Sequence, residues 1–382
     1  MLLKLIALAI AGLSGAAFAQ STVTISGNLD MGYLNVSNET AAQGKDTQRS
    51  WSGNGSSTST LVFSGTEALG GGMNAGFLLS SDFTPGAQQQ TNPLTATGGL
   101  AVGTTAPTAN QFFNSQNYLS LGGSWGMVKF GNVNQTALDA SSASQPFGTA
   151  IGSGYGSAIS GRLRGLGTAG NLLTNVATAT GAGRLVRVSN SAKYESPSFS
   201  GFQVTGQHAF KNDNDQFSNI GLTELGLKYG NGPVNVVYSN TKMDSGDNTI
   251  GVVSASTTVK QVTTHNMLGG NYTFGPATVM AGWTSSKQDL NSVRNADARS
   301  WNIALKYAVG NWAFMGNVLK IDDKLAASDA DSKLTGLGLD YSMSKRTTAY
   351  ARYETGDTNT GSVGGTNVGA FTRWAAGMRH SF

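Results

Sequence analysis

The chain has 382 residues, of which 52 are glycine, 7 are proline and none is cysteine; 12% are charged. The lack of cysteine excludes disulfides, thiolate metal sites and a cysteine nucleophile, and a formal net charge of +4 is too slight for a nucleic-acid partner. Soluble surfaces carry about a quarter or more charged residues, so this charge density argues against an ordinary soluble protein, while scarce proline suits long uninterrupted strands.

Residues 1–19 predict a cleaved export signal. Lys4 supplies the positive start, Leu5 to Leu13 form a short apolar core, and Ala17-Phe18-Ala19 offers small residues before a mature start at Gln20. The apolar run is too short for a spanning helix, and no later stretch approaches the roughly 20 apolar residues one needs. If the mature chain is integral to a membrane it must be a closed barrel, because only closure pairs every backbone amide in lipid.

Alternation begins at Thr22. Val23, Ile25, Leu29, Met31 and Tyr33 share one parity, with Thr24, Ser26, Asn28 and Asp30 on the other. Period two with one polar face is the strand signal. It predicts sixteen strands near 22–34, 58–66, 72–83, 112–121, 125–133, 186–196, 200–210, 222–230, 233–243, 263–274, 277–287, 298–309, 312–321, 333–344, 346–355 and 370–382. Tight turns such as Gly122-Gly123-Ser124, Gly275-Pro276 and Gly310-Asn311 alternate with long connections, as in outer-membrane barrels. Tyr33, Trp283, Trp301, Tyr307, Trp312, Tyr341 and Trp374 sit near the ends of apolar faces and read as interfacial girdle residues. A two-sheet sandwich would account for a few of these strands, but not for the whole one-sided set.

The last strand stops on Phe382, with Trp374, Ala376, Met378 and His380 on the face of that residue and Arg373 and Arg379 on the other. The fold expectation is therefore all-β: one domain, residues 20–382, forming a 16-stranded antiparallel transmembrane β-barrel. Sixteen strands leave a wet lumen rather than a core filled by side chains. The segment 134–184 stands apart, since it is long and lacks clear alternation. In a wide barrel such a loop has the option of folding inward, and Pro146-Phe147-Gly148 suggests packing against a wall.

Several stretches match the trimeric general porins of betaproteobacteria, the Neisseria/Burkholderia type of Gram-negative porin. They are STVTISGNLD at 21–30, FSGTEALGGG at 63–72, NSAKYESPSFSGF at 190–202, DYSMSKRT at 340–347 and GMRHSF at 377–382. The resemblance implies a homotrimer and passive diffusion of small hydrophilic solutes and inorganic ions. It also implies a third long loop folded into the lumen as the constriction, mapping onto 134–184, and a terminal Phe382 read by the barrel-insertion machinery. The chain departs from the pattern where relatives commonly carry basic residues: it has Thr60 and Ser64 on the second strand and Asn132 on the fifth.

Charges on the polar parity are the candidate pore-lining residues: Lys129, Arg187, Lys193, Lys306, Arg352, Arg373 and Arg379, with Glu195, Lys228 and Glu354 nearby. A basic side chain facing lipid at mid-depth costs about 2–4 kcal/mol, which favours inward placement. The loop adds Arg162, Arg164 and Arg184 against one carboxylate, Asp139. That imbalance predicts weak anion preference; a bland alternative has Arg162 and Arg164 tying the loop to the wall. His208, His265 and His380 lack ligand-like spacing, so no metal is expected, and no catalytic motif or cofactor signature appears. The expected function is an outer-membrane general diffusion porin, in contact with outer-membrane lipids. The alternative is a porin selective for an organic or phosphate-like anion.

Overall fold

The computed structural model describes residues 22–40, 44–53, 55–85, 113–153, 186–210, 221–244, 261–324, 331–358 and 370–382. The export signal at 1–19 lies outside them. Seventeen strands and one helix are described: β1 (Thr22–Thr40), β2 (Gly44–Ser52), β3 (Ser59–Gly70), β4 (Met73–Phe83), β5 (Asn117–Gly123), β6 (Gly126–Asn134), α1 (Thr136–Ser144), β7 (Arg187–Glu195), β8 (Phe202–Ala209) and β9 (Gly221–Asn231). There follow β10 (Val234–Asp244), β11 (Gln261–Phe274), β12 (Ala277–Leu290), β13 (Val293–Val309), β14 (Trp312–Asp323), β15 (Ser332–Ser342), β16 (Thr347–Thr358) and β17 (Ala370–Ser381).

From β3 onward each strand pairs antiparallel with the next, and β17 returns to β1 over Asn28↔Ser381 to Glu39↔Ala370. The sheet closes on itself. Phe382 completes the seam: its amide donates to the Gly27 carbonyl and its carbonyl accepts from the Gly27 amide, both at 3.1 Å.

The wall has sixteen positions because β2 and β3 share one. Both pair with β1, β3 along Thr22–Asn28 and β2 along Gly32–Thr40. Between them residues 53 and 55–58 leave the wall. The sequence hid β2 because GKDTQRSWS carries no apolar alternation; it pairs with the part of β1 that runs on past the apolar parity.

Large apolar side chains lie on the outer parity and stay exposed, as lipid requires: Leu225 at 61%, Ile303 at 59% and Leu337 at 52%. The expected girdle residues Trp283, Trp301, Tyr307, Trp312, Tyr341 and Trp374 are exposed outward with them. Tyr33 packs between Trp51 and Trp374, with ring centroids 5.7 and 5.4 Å away. The tight turns cluster at one end; at Gly70, Gly71 and Gly72 the backbone takes φ of 82°, 61° and 78°, which a side chain would strain.

Inside 134–184 the sequence showed no regular element, yet residues 136–144 form α1. Nine residues, six of them Ala or Ser, give too faint a helical stripe to read. Ala137, Ala140 and Ala143 are buried on it, at the i, i+3 spacing of one helix face.

Candidate functional site

The polar parity turns inward, and its charges are mostly paired. Lys129 on β6 meets Glu195 on β7 at 2.7 Å. Lys193, directly opposite Lys129, lies 3.7 Å from the same carboxylate and donates to the Asn134 carbonyl at 2.7 Å. Arg187 reaches Asp82 on β4 at 3.1 Å. Further round, Arg352 on β16 pairs with Asp340 on β15 at 2.7 Å, and Arg373 on β17 pairs with the fully buried Glu354.

The described part of the long connection, residues 135–153, lies along this inner parity from β9 to β16. Glu224 on β9 is buried at the N-terminus of α1 and accepts from the amides of Thr136 and Ala137 at 2.8 and 2.9 Å. Its charge meets the positive end of the helix dipole, a role the N-cap Gln135 does not fill. Asp139 on α1 holds Lys228 of β9 at 2.6 Å. Asn271 on β11 and Asn302 on β13 donate to the carbonyls of Ala143 and Ser144, at 3.1 and 2.6 Å. At the far end the Gly152 amide donates to Glu354 at 2.7 Å, while Asn317 donates to the Gly152 carbonyl at 3.1 Å.

Close approach is possible because the wall lacks side chains along this track. An added Cβ would meet Thr136 from Gly226, the Ala140 carbonyl from Gly269, Ser144 from Gly282, Phe147 from Gly338 and Gly152 from Gly336. The glycines make a groove, and the helix and the turns after it fill it.

Residues 56–58 add a second inward contact. Asp30 on β1 accepts from the amides of Ser56 and Ser57, at 2.7 and 2.6 Å, and from the Tyr350 hydroxyl at 2.6 Å. Arg352 donates to Ser56 at 3.0 Å, and Thr58 meets Thr149 at 3.3 Å. The two segments therefore touch, joined to the wall through Tyr350 and Arg352.

Of the residues singled out in the sequence, Lys129, Arg187, Lys193, Arg352 and Arg373 sit in ion pairs, and Asp139, its side chain still partly exposed, pairs with Lys228. Lys306 and Arg379 lie on the inner parity near the tight-turn end and make no ion pair among the described residues. Arg162, Arg164 and Arg184 lie outside the described residues. Glu224, Asn271, Asn302, Asn317 and the glycine groove escaped sequence reading, since each looks like any other polar-parity residue until the segment it holds is in place. The histidines are local: His208 meets Thr223 at 3.1 Å, His380 meets Thr347 at 2.9 Å, and the buried His265 bonds Ser286.

Known proteins agree with this geometry. The chain is 27% identical to an outer membrane porin of Bordetella pertussis, over 90% of each chain. It is 28% identical to outer membrane porin protein 32 of Delftia acidovorans, over 91% of this chain and 87% of the relative. Two solved structures share the fold. An anion-selective porin from Comamonas acidovorans superposes with a TM-score of 0.70 at 22% identity, covering 95% of this chain and all of the other. The trimer form of OmpT from Vibrio cholerae has a TM-score of 0.62 at 16% identity, over 95% and 99%. The model of the Gram-negative porin family matches residues 5–361, and with the closed barrel this establishes that the chain belongs to that family, as an integral β-barrel channel of the outer membrane.

Proposed function

We propose that the chain is a general diffusion porin with a weak preference for anions, working as a homotrimer. The segment 134–184 narrows its lumen. One observation carries the sign of selectivity. The inward carboxylates Asp30, Asp82, Asp139, Glu195, Glu224, Asp340 and Glu354 each meet a cation or backbone amides, whereas Lys306 and Arg379 have no ion-pair partner among the described residues. Counted together, the eight inward cations Lys129, Arg187, Lys193, Lys228, Lys306, Arg352, Arg373 and Arg379 exceed these seven carboxylates by one, so a small positive field remains, and a narrow low-dielectric passage focuses it.

The surplus is small, and Thr60, Ser64 and Asn132 add no charge, which keeps the preference weak. The anion-selective solved relative and the solved trimer support the two halves of this reading. Asp139 is held by the wall cation Lys228 at 2.6 Å, so that pair adds little to the field.

The test is the reversal potential across a planar bilayer under a KCl gradient. Anion preference is expected, and Lys306→Ser with Arg379→Ser should move the potential toward cations. Clear cation selectivity of the unaltered protein overturns the proposal. A solute that blocks the current at micromolar concentration would replace general diffusion by the substrate-selective reading.

A further inference from the structure

Three large side chains interrupt the polar parity on one stretch of the inner wall. Val62 on β3, Leu78 on β4 and Tyr118 on β5 fall on the face that carries Asp30, Asp82 and Lys129. Leu78 stands directly opposite Tyr118 in the ladder on one side and opposite Ser64 on the other, with Val62 two residues from Ser64. Diagonal neighbours on one face stay within reach of long side chains. A wet lumen favours polar residues at such positions, so three neighbouring exceptions call for a cause. Elsewhere the cause is burial: Leu222 packs with Ala137 of α1, and Ile321 with Leu334, all of them buried. Val62, Leu78 and Tyr118 are only half-buried, and their strands lie off the track from β9 to β16 that residues 135–153 follow.

The patch lies at the depth of α1. Leu78 is five residues from Met73 at the tight-turn end of its strand, and Tyr118 is five from Gly123. The groove glycines under α1 stand equally far along theirs: Gly226 from Asn231, Gly269 from Phe274 and Gly282 from Ala277. In a closed wall of sixteen positions, β4 and β5 stand across the lumen from β12 and β13, where α1 ends. One cation reaches the patch. The Lys129 ammonium lies 5.5 Å from the centre of the Tyr118 ring. Its bond to Glu195 uses one of three donors, and Lys193 lies 3.7 Å from the other oxygen of that carboxylate. Lys129 can therefore take a second anion. Four residues along β4 from Leu78, Asp82 is held by Arg187 at 3.1 Å, which offsets its charge.

We propose that Val62, Leu78, Tyr118 and Lys129 form a weak subsite for small carboxylates with an aromatic or similarly apolar body. The proposal deepens the reading of the chain as an open channel narrowed by the inward segment, and it rests on that reading. The body of the solute lies against Val62, Leu78 and the Tyr118 ring, and its carboxylate meets the Lys129 ammonium. Apolar contact and a charge-assisted hydrogen bond act together there. Apolar walls with a few placed polar groups are the usual make of a site for a small organic molecule.

The experiment adds benzoate, acetate or benzyl alcohol to the purified barrel in a planar bilayer and records single-channel current in KCl. Benzoate is expected to halve the current at a concentration on the order of 1 mM. Acetate, which lacks the ring, and benzyl alcohol, which lacks the charge, should need roughly tenfold more. Leu78→Ser/Tyr118→Ser should abolish the advantage of benzoate over acetate while KCl conductance and reversal potential stay as in the unaltered protein, since neither residue is charged. Benzoate no more effective than acetate, or benzyl alcohol as effective as benzoate, overturns the proposal with the unaltered protein alone. So does undiminished benzoate block in a variant of normal conductance. The reversal potential in KCl without benzoate judges the channel reading separately, so the two fail independently.

Discussion

Glu354 shows what a single inward residue does. It has no exposed surface, takes the Arg373 guanidinium on one oxygen and the Gly152 amide on the other. Truncating one partner of a buried ion pair costs about 3–5 kcal/mol, because the other charge stays buried and uncompensated. Glu354→Ala should therefore lower stability by about that amount in guanidinium unfolding of the reconstituted protein, with Glu354→Gln milder because it keeps an acceptor for the amide. Equal stability of Glu354→Ala and the unaltered barrel would refute the pairing. The sequence placed Glu354, Arg373, Lys129 and Lys193 on the polar parity, because alternation sorts residues by face. Alternation says nothing about which residue across the lumen completes each one. Glu224 is the plain case: its partners, the amides of Thr136 and Ala137, lie more than eighty positions away in sequence.

At the scale of elements, α1 and the glycine groove belong together. Gly226, Gly269 and Gly282 remove side chains from three wall strands, and the alanine face of α1 comes within contact of the exposed backbone. Glycines in strands usually cost stability through lost packing and added chain entropy. Here the lost packing is returned by the helix. Gly269→Val should push α1 away from the wall and toward the pore axis, since a side chain there collides with the Ala140 carbonyl. Reduced single-channel conductance is expected, with strand content by circular dichroism unchanged. Gly316→Val is the control: it points to the outer parity, and its Cβ would meet only Leu337 at 3.8 Å. If Gly269→Val conducts as Gly316→Val does, α1 does not bear on the pathway. The strands around this helix were legible because lipid forces one apolar face on each. The helix was not, because its partner is a groove made of missing side chains.

For the whole molecule, the barrel could be read because one simple pattern recurs around a closed wall, so that an error of a few residues in any strand leaves the count intact. The exception, β2, lies past the apolar band, where nothing enforces alternation. The lumen is governed by a different balance, between charges that are paired and charges that are not, and that balance depends on ionic strength. Exposed, unpaired cations act over a Debye length of about 10 Å at 0.1 M salt and about 3 Å at 1 M. Close buried pairs such as Arg373–Glu354 exclude the screening ions and are hardly touched. If Lys306 and Arg379 set the sign of selectivity, the anion preference should fade as KCl rises from 0.1 to 1 M at a fixed concentration ratio, while stability over the same range stays nearly constant. A preference that persists undiminished at 1 M would locate selectivity in a tight, desolvated site instead of in the field of two open cations. In that case the lumen would be binding a particular anion, and diffusion driven by weak electrostatic bias would no longer describe it.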